Sequence, residues 1–383
     1  MAETDMYRLS EPWAASIVPA DARPLVNPPS HRVNRRDLLR FRKMSSSLRE
    51  GGTGLSGTRE YSADDLLRAS RPAMGSYFEV RLGARTPSGS DLAERALDLI
   101  ETLEAQLTIY RDDSEVSRLN ATAHMGPVAV EPGLFGLLER AQRLSKETGG
   151  AYDVTTGAIS EAWGFFRGPK RVPDPDTLAD ARERTGYHHL SLDPANRTVA
   201  FDRPGVIINL GSIGKGYALD RVASLIRDHW WPTTALVHGG RSSLFALGSP
   251  PGGFGGHWQI ALRNPFDPDV PLGVLHLRNR GMGTSGNSFQ HFEADGHVYG
   301  HILDPRTGAP APGPASVTVL APTAAEADAL STAFYLLGPE AAAMHVARNP
   351  ELSAIFVESG KADRSPRIRT FGLGPLDFQL SAG

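Results

Sequence analysis

The chain has 383 residues, 40% of them hydrophobic, and a formal net charge of -3 from 40 basic and 43 acidic residues. That composition suits a soluble protein with a sizeable core and gives no global field for nucleic acid or an anionic membrane. Cysteine is absent, which excludes disulfides, thiolate metal sites, thiol nucleophiles and lipoprotein-type attachment, so a metal must be held by oxygen or imidazole.

Residues 1 to about 65 are rich in Pro, Ser, Gly and Arg without apolar periodicity and read as a disordered basic extension. The domain boundary is expected at residue 66, with one unit over 66–383 and the fold under way by Ala73. Within the extension, Asn34-Arg35-Arg36-Asp37-Leu38-Leu39 resembles the start of a twin-arginine export signal. Arg40, Arg42, Lys43 and serines follow where an apolar segment should be. The expected location is cytoplasmic, with an exported or periplasmic one as the alternative. No run reaches the roughly 20 apolar residues of a membrane-spanning helix.

Phe78, Val80 and Leu82 alternate like a half-buried strand, and Leu92, Ala96, Leu99, Ile100, Leu103 and Leu107 share one helical stripe. Leu134, Leu137, Leu138, Ala141 and Leu144 predict a second helix, stopped by Gly149-Gly150. Pro169 to Pro175 reads as a surface loop. Val206-Ile207-Ile208 is a buried-strand candidate, followed by a glycine-rich turn and a helix marked by Ala218, Val222, Leu225 and Ile226. Further strands are expected at Ala235 to Val237, Trp258 to Leu262, Val274 to Leu277 and Val317 to Leu320, then a helix over Ala327 to Leu337 and a strand over Ala354 to Val357. The class is α+β, a mixed α/β unit without internal repeats.

Three segments carry chemistry. In Asn209-Leu210-Gly211-Ser212-Ile213-Gly214-Lys215-Gly216-Tyr217-Ala218-Leu219-Asp220, three closely spaced glycines join a strand to a helix, where main-chain amides and Lys215 suit a phosphate or pyrophosphate. The order does not match a Walker A loop, and a plain structural turn explains the glycines equally well. In the segment Glu326 to Ala333, Asp328 and Thr332 are four residues apart on one solvent-facing helical face. Their oxygens can converge on magnesium, which takes hard ligands and completes its shell with water and phosphate; an ordinary polar face is the alternative. His301-Ile302-Leu303-Asp304-Pro305-Arg306-Thr307-Gly308 joins turn chemistry to a histidine that can be structural or functional. Together they point to a magnesium-bound phosphate ester.

Earlier segments continue the series: Ala73-Met74-Gly75-Ser76; Tyr110 to Asn120; Gly150-Ala151-Tyr152-Asp153-Val154-Thr155; Trp163-Gly164-Phe165; Gly239-Gly240; and Thr284-Ser285-Gly286-Asn287. In their shared order, from about Ala73 to Leu337, they resemble the FAD:protein FMN transferases of the ApbE type. The resemblance implies an α+β, T-fold-related single domain of two lobes, with FAD in the cleft and Mg2+ at its pyrophosphate. It puts Met74, Tyr110, Ala151, Tyr152, Asp153, Asn209, Lys215 and Ile302 on flavin-nucleotide positions. Asp328, Thr332 and the main-chain carbonyl of Ser212 fall on magnesium-ligand positions, with His301 and Lys215 as catalytic candidates.

The implied reaction transfers FMN from FAD to a Thr or Ser hydroxyl of an acceptor flavoprotein and releases AMP. A hydrolase that splits FAD to FMN and AMP, or a non-catalytic flavin binder, is the alternative. Asp153 and Asp304 are the other candidates to activate the hydroxyl. The chain departs from the family pattern at two places: Asn209 and Arg241 stand where the pattern has aspartates.

Overall fold

The alternation of Phe78, Val80 and Leu82 forms a strand near one edge of the largest sheet. The computed structural model describes residues 17–19, 66–229, 234–250, 254–286, 291–360 and 366–381. In chain order, β1 (Ile17–Pro19), β2 (Leu66–Ala73) and β3 (Ser76–Gly83) precede the helices α1 (Gly89–Leu107) and α2 (Glu115–Thr122). Next come β4 (Val128–Ala129), α3 (Pro132–Glu147), α4 (Gly157–Ala162), α5 (Pro175–Glu183), β5 (Leu190–Asp193) and β6 (Thr198–Phe201). The middle holds α6 (Gly214–Arg227), β7 (Ala235–Gly239), β8 (Ser243–Leu247), β9 (Trp258–Leu262), β10 (Gly273–Leu277) and β11 (Arg280–Gly286). The remainder is β12 (His291–Ala294), β13 (His297–Gly300), β14 (Ser316–Ala321), α7 (Ala324–Leu337), α8 (Pro339–Arg348), β15 (Ser353–Ser359), β16 (Pro366–Phe371) and β17 (Phe378–Leu380).

Eight strands form one antiparallel sheet in the order β16-β15-β14-β11-β8-β7-β3-β2. Successive side chains of a strand point to opposite faces, and here both faces are covered. Val237, Phe245, Val317 and Val319 join the stripes of α1, α6 and α7 in the main core. Their neighbours Leu236, Leu244, Ala246 and Leu320 pack on Trp258, Ile260, Leu275 and Leu277 of a four-stranded sheet, β1-β9-β10-β17. This double burial explains the apolar runs Ala235–Val237 of β7, Leu244–Leu247 of β8 and Val319–Ala321 of β14. Each fully buried Val, Leu or Phe contributes about 1.5–3 kcal/mol. The mixed α+β class expected from the sequence is therefore observed.

Several stretches differ from the sequence reading. Val206 to Ile208 is extended but not a ladder strand: Ile207 makes a single parallel bridge to Thr156. Its other polar partner is a side chain, since Asn120 donates to the Ile208 carbonyl at 3.0 Å and accepts its amide at 2.8 Å. Strand β2 was not expected because it is a sheet edge whose Arg68, Ser70 and Pro72 face outward. Ile17–Pro19, inside the expected extension, pairs with Leu262 to Ile260 of β9. The rest of that extension, with the twin-arginine-like pattern, lies outside the described residues, as does Asn287. Among the described residues no helix is long and apolar enough to cross a membrane.

The N-terminal half of α7 is clamped by close approach. A Cβ on Gly216 of α6 would lie 2.2 Å from the Ala324 carbonyl oxygen, and one on Gly283 of β11 would lie 2.5 Å from the Ala327 and Asp328 backbone. Only glycine permits these contacts. Asp220 completes the clamp by accepting the first α7 amides, Ala324 at 2.7 Å and Ala325 at 3.0 Å.

Candidate active site

Asp328 lies one turn into α7, beneath the start of α6. Its Oδ2 accepts the Gly216 amide at 2.8 Å and its Oδ1 accepts the Ser243 hydroxyl at 2.7 Å. Burial pushes the carboxyl up to about 6, against the charge of Lys215 and those two hydrogen bonds. The solvent-facing position expected for Asp328 is thus corrected: it is 6% exposed, because α7 is buried on nearly every side between α6 and β11. Thr332, one turn on, is partly exposed and lies 3.1 Å from the Ser285 hydroxyl.

Two loops complete this corner. The Asn209 amide donates to the Val154 carbonyl at 2.7 Å, and the Gly157 amide to the Ile207 carbonyl at 3.1 Å, which ties segment 151–157 to segment 207–215. Asn209 Oδ1 accepts the Gly211 amide at 3.0 Å, so the turn carrying Ser212 is set by a side chain. Asp153 is buried and fully engaged, accepting the Thr155 amide and hydroxyl at 2.8 and 2.7 Å and the Tyr187 amide at 2.6 Å. Burial still raises its pKa. The Tyr152 hydroxyl is buried without a hydrogen-bond partner. Burial pushes this phenol up; Ser212 is near enough to temper the shift, and the Asp153 and Asp328 charges reinforce it. It stays neutral and able to donate.

The other candidate residues stand on neighbouring elements. Met74 and Gly75 form a two-residue hairpin turn between β2 and β3, both at positive φ, and Glu104 of α1 holds the Met74 amide at 2.6 Å. Gly240 abuts this hairpin by donating to the Tyr77 carbonyl at 2.6 Å. Tyr110 is exposed and meets Phe166 edge to face at 5.4 Å, with the Arg167 guanidinium 4.8 Å from the Phe166 ring. Ile302 and Ala151 are buried, and His301 is partly exposed directly after β13. Asp304 is held by Arg306 at 2.7 and 2.9 Å. Direct bonds and charges therefore unite Lys215, Ser212, Tyr152, Asp153, Asn209 and Asp328, while Met74, Tyr110, His301 and Ile302 occupy separate loops.

Residues 74–356 match the model of the ApbE family. The chain belongs to this family. It is 32% identical over 327 residues to an FAD:protein FMN transferase of Treponema pallidum, spanning 82% of this chain and 88% of that one. The crystal structure of the ApbE protein of Thermotoga maritima is similar with a TM-score of 0.73 at 29% identity, covering 80% of this chain and 97% of that one. The flavin transferase ApbE of Vibrio cholerae gives a TM-score of 0.71 at 28% identity with the same coverage.

The corner fits the divalent cation that an ApbE fold implies. Its candidate ligands are all hard oxygens: the Asp328 carboxylate, the Thr332 hydroxyl and the Ser212 carbonyl. Among the described residues no group of three or more His, Cys, Asp or Glu could hold a metal. A cation here would rest on one carboxylate and neutral oxygens, with water and phosphate completing its shell. The buried Tyr152 hydroxyl, which makes no hydrogen bond, suits a phosphate oxygen beside such a cation, because leaving the donor unpaired costs about 1–3 kcal/mol that an acceptor would relieve. The sequence reading missed Ser243, Ser285, Ser331 and Glu104 as supports of the site. Ser285 lay in a quoted motif, but nothing in one sequence pairs Ser243 with Asp328, 85 residues away.

Proposed function

We propose that this ApbE-family enzyme transfers FMN from FAD to a Thr or Ser hydroxyl of an acceptor flavoprotein and releases AMP, with magnesium as cofactor. The observation that carries the reading is the convergence of Lys215 and the buried Asp328 at the start of α6. A cation and a metal-ligating carboxylate side by side suit a pyrophosphate better than any neutral substrate. We assign residues 66–383 to the transferase domain.

In this reading Lys215 binds the pyrophosphate, and Met74, Tyr110, Ala151, Tyr152, Asn209 and Ile302 hold the flavin nucleotide. Asp153 contributes by fixing the shape of its loop, since its carboxylate is spent on Thr155 and Tyr187. Asp328, Thr332 and the Ser212 carbonyl hold magnesium, which when bound neutralises charge on the phosphate oxygens. The acceptor oxygen forms a bond to the FMN-side phosphorus as the bond from that phosphorus to the AMP oxygen breaks. His301 takes the proton of the acceptor hydroxyl, and AMP carries away the bridging oxygen. Lys215 stabilises the charge that builds on the non-bridging oxygens.

The test follows the phosphorus. Protein, FAD and magnesium are incubated with and without an acceptor domain that carries an exposed threonine, and AMP and protein-bound flavin are both measured. Stoichiometric AMP and bound flavin, dependent on the acceptor, is the expected result. Fast release of AMP and free FMN without acceptor would establish a hydrolase instead. Tight FAD binding without AMP across several acceptors would point to a binding module.

A further inference from the structure

Ser285 of β11 and Ser331 of α7 form a hydroxyl chain with Thr332 whose direction can be worked out. Ser331 Oγ donates to the main-chain carbonyl of Asp328 at 2.8 Å. A carbonyl only accepts, so the single Ser331 proton is committed there. Ser285 Oγ lies 2.8 Å from Ser331 Oγ and 3.1 Å from Thr332 Oγ1. Ser331 can therefore only accept from Ser285, and Ser285 in turn can only accept from Thr332. The opposite direction would leave two lone pairs facing each other at 2.8 Å. The Asp328 carbonyl is 3.5 Å from Thr332 Oγ1, too far to compete for its proton. Ser331 is 1% exposed, which keeps water from replacing a link.

We propose that Ser285 is a positioning residue which, with Ser331, turns the Thr332 proton away from the cation site and leaves only lone pairs facing it. A hydroxyl fixed in this way can coordinate a cation but cannot donate to a phosphate oxygen. The two serines thus decide what the Thr332 hydroxyl is for. Without Ser285 the proton loses its nearest acceptor and can rotate toward the cation, which turns a ligand into a repulsive dipole. The inference rests on the reading of Thr332 as a cation ligand.

The experiment titrates the full chain with Mn2+ alone and follows the free ion by electron paramagnetic resonance, so no turnover is needed. Ser285→Ala should weaken Mn2+ binding about tenfold, as expected for a group that orients a metal ligand. Ser331→Ala, which suits a helix interior, should act in the same direction, and Ser285→Thr should restore binding. In a Thr332→Ala background Ser285→Ala should add nothing, because the hydroxyl it orients is gone. If Thr332→Ala alone leaves Mn2+ affinity unchanged, the ligand reading falls and the inference with it. If Thr332→Ala weakens binding but Ser285→Ala is silent, or costs as much in both backgrounds, the reading stands and the inference is overturned. Should Ser285→Ala unfold, Ser331→Ala decides between the same two results.

Discussion

The Gly216 amide donates to Asp328 Oδ2 at 2.8 Å, a bond between residues 112 positions apart that sets the start of α6 against the second turn of α7. The same glycine touches the Ala324 backbone, so one residue serves both as spacer and as hydrogen-bond donor. Lys215 precedes it and is thereby carried to the carboxylate.

Gly216→Ala should therefore damage fold and site together. Its Cβ would meet Ala324 O at 2.2 Å and Ala325 N at 2.6 Å, backbone atoms that move only if the helices spread. The expected loss is about 1–3 kcal/mol, the range for overpacking. Gly136→Ala is the control: this exposed α3 glycine has nothing within 4 Å, and alanine there should stabilise by about 0.5–1 kcal/mol. Equal melting temperatures for the two variants would contradict the clamp.

Asp220 gives a pH dependence with a defined sign. Burial pushes its carboxyl up from 3.8 to about 6, against the Ala325 and Ala324 amides and Arg140. The folded chain then holds a proton that the unfolded chain has lost, so this group contributes stability that is lost as pH rises from about 4 through 6. Asp220→Asn is neutral throughout and keeps one carbonyl oxygen for the α7 amides. It should be less stable than wild type near pH 4, and the gap in melting temperature should narrow toward pH 7. A gap independent of pH would show that Asp220 does not carry the linkage.

What could be read from sequence follows from which residues face the core. Helices α1, α3 and α6 show their stripes because one face is wet, and their residues fall where the period puts them. Strand β11 was invisible: Gly281 and Gly283 are demanded by contact with α7, and that removes the apolar alternation of a strand. The spacing of Asp328 and Thr332 put both on one helix, as α7 has them, yet the burial of Asp328 left no trace in it, since that depends on α6 and β11 packing from both sides. Likewise the Asn120 side chain that replaces a strand partner for Ile208 leaves no periodic trace.

Asn209→Asp should leave the turn intact, because the oxygen that accepts the Gly211 amide is retained. It adds one negative charge to the segment that carries Ser212, and at an effective dielectric of about 20 this should tighten a nearby dication by up to roughly tenfold. Isothermal titration with magnesium and FAD measures it. Unchanged affinity for both would mean that Arg241 compensates for the position or that Asn209 does not face the ligand.

In the proposed reaction His301 takes the proton of the acceptor hydroxyl. The competing carboxylates are already engaged: Asp304 by the Arg306 guanidinium at 2.7 and 2.9 Å, and Asp153 by Thr155 and Tyr187. A carboxylate saturated with donors is a poor proton acceptor, so the proposal places the base at the imidazole of His301, partly exposed directly after β13. His301→Asn should lower the single-turnover rate of flavin transfer by about 10²–10⁴-fold, the usual worth of a general base. FAD affinity, measured by flavin fluorescence, should change little, since the side chain acts on the acceptor and not on the nucleotide. If FAD affinity falls in step with the rate, His301 belongs to the binding surface; if the rate is unchanged, the proton leaves by another route and the assignment of His301 is wrong.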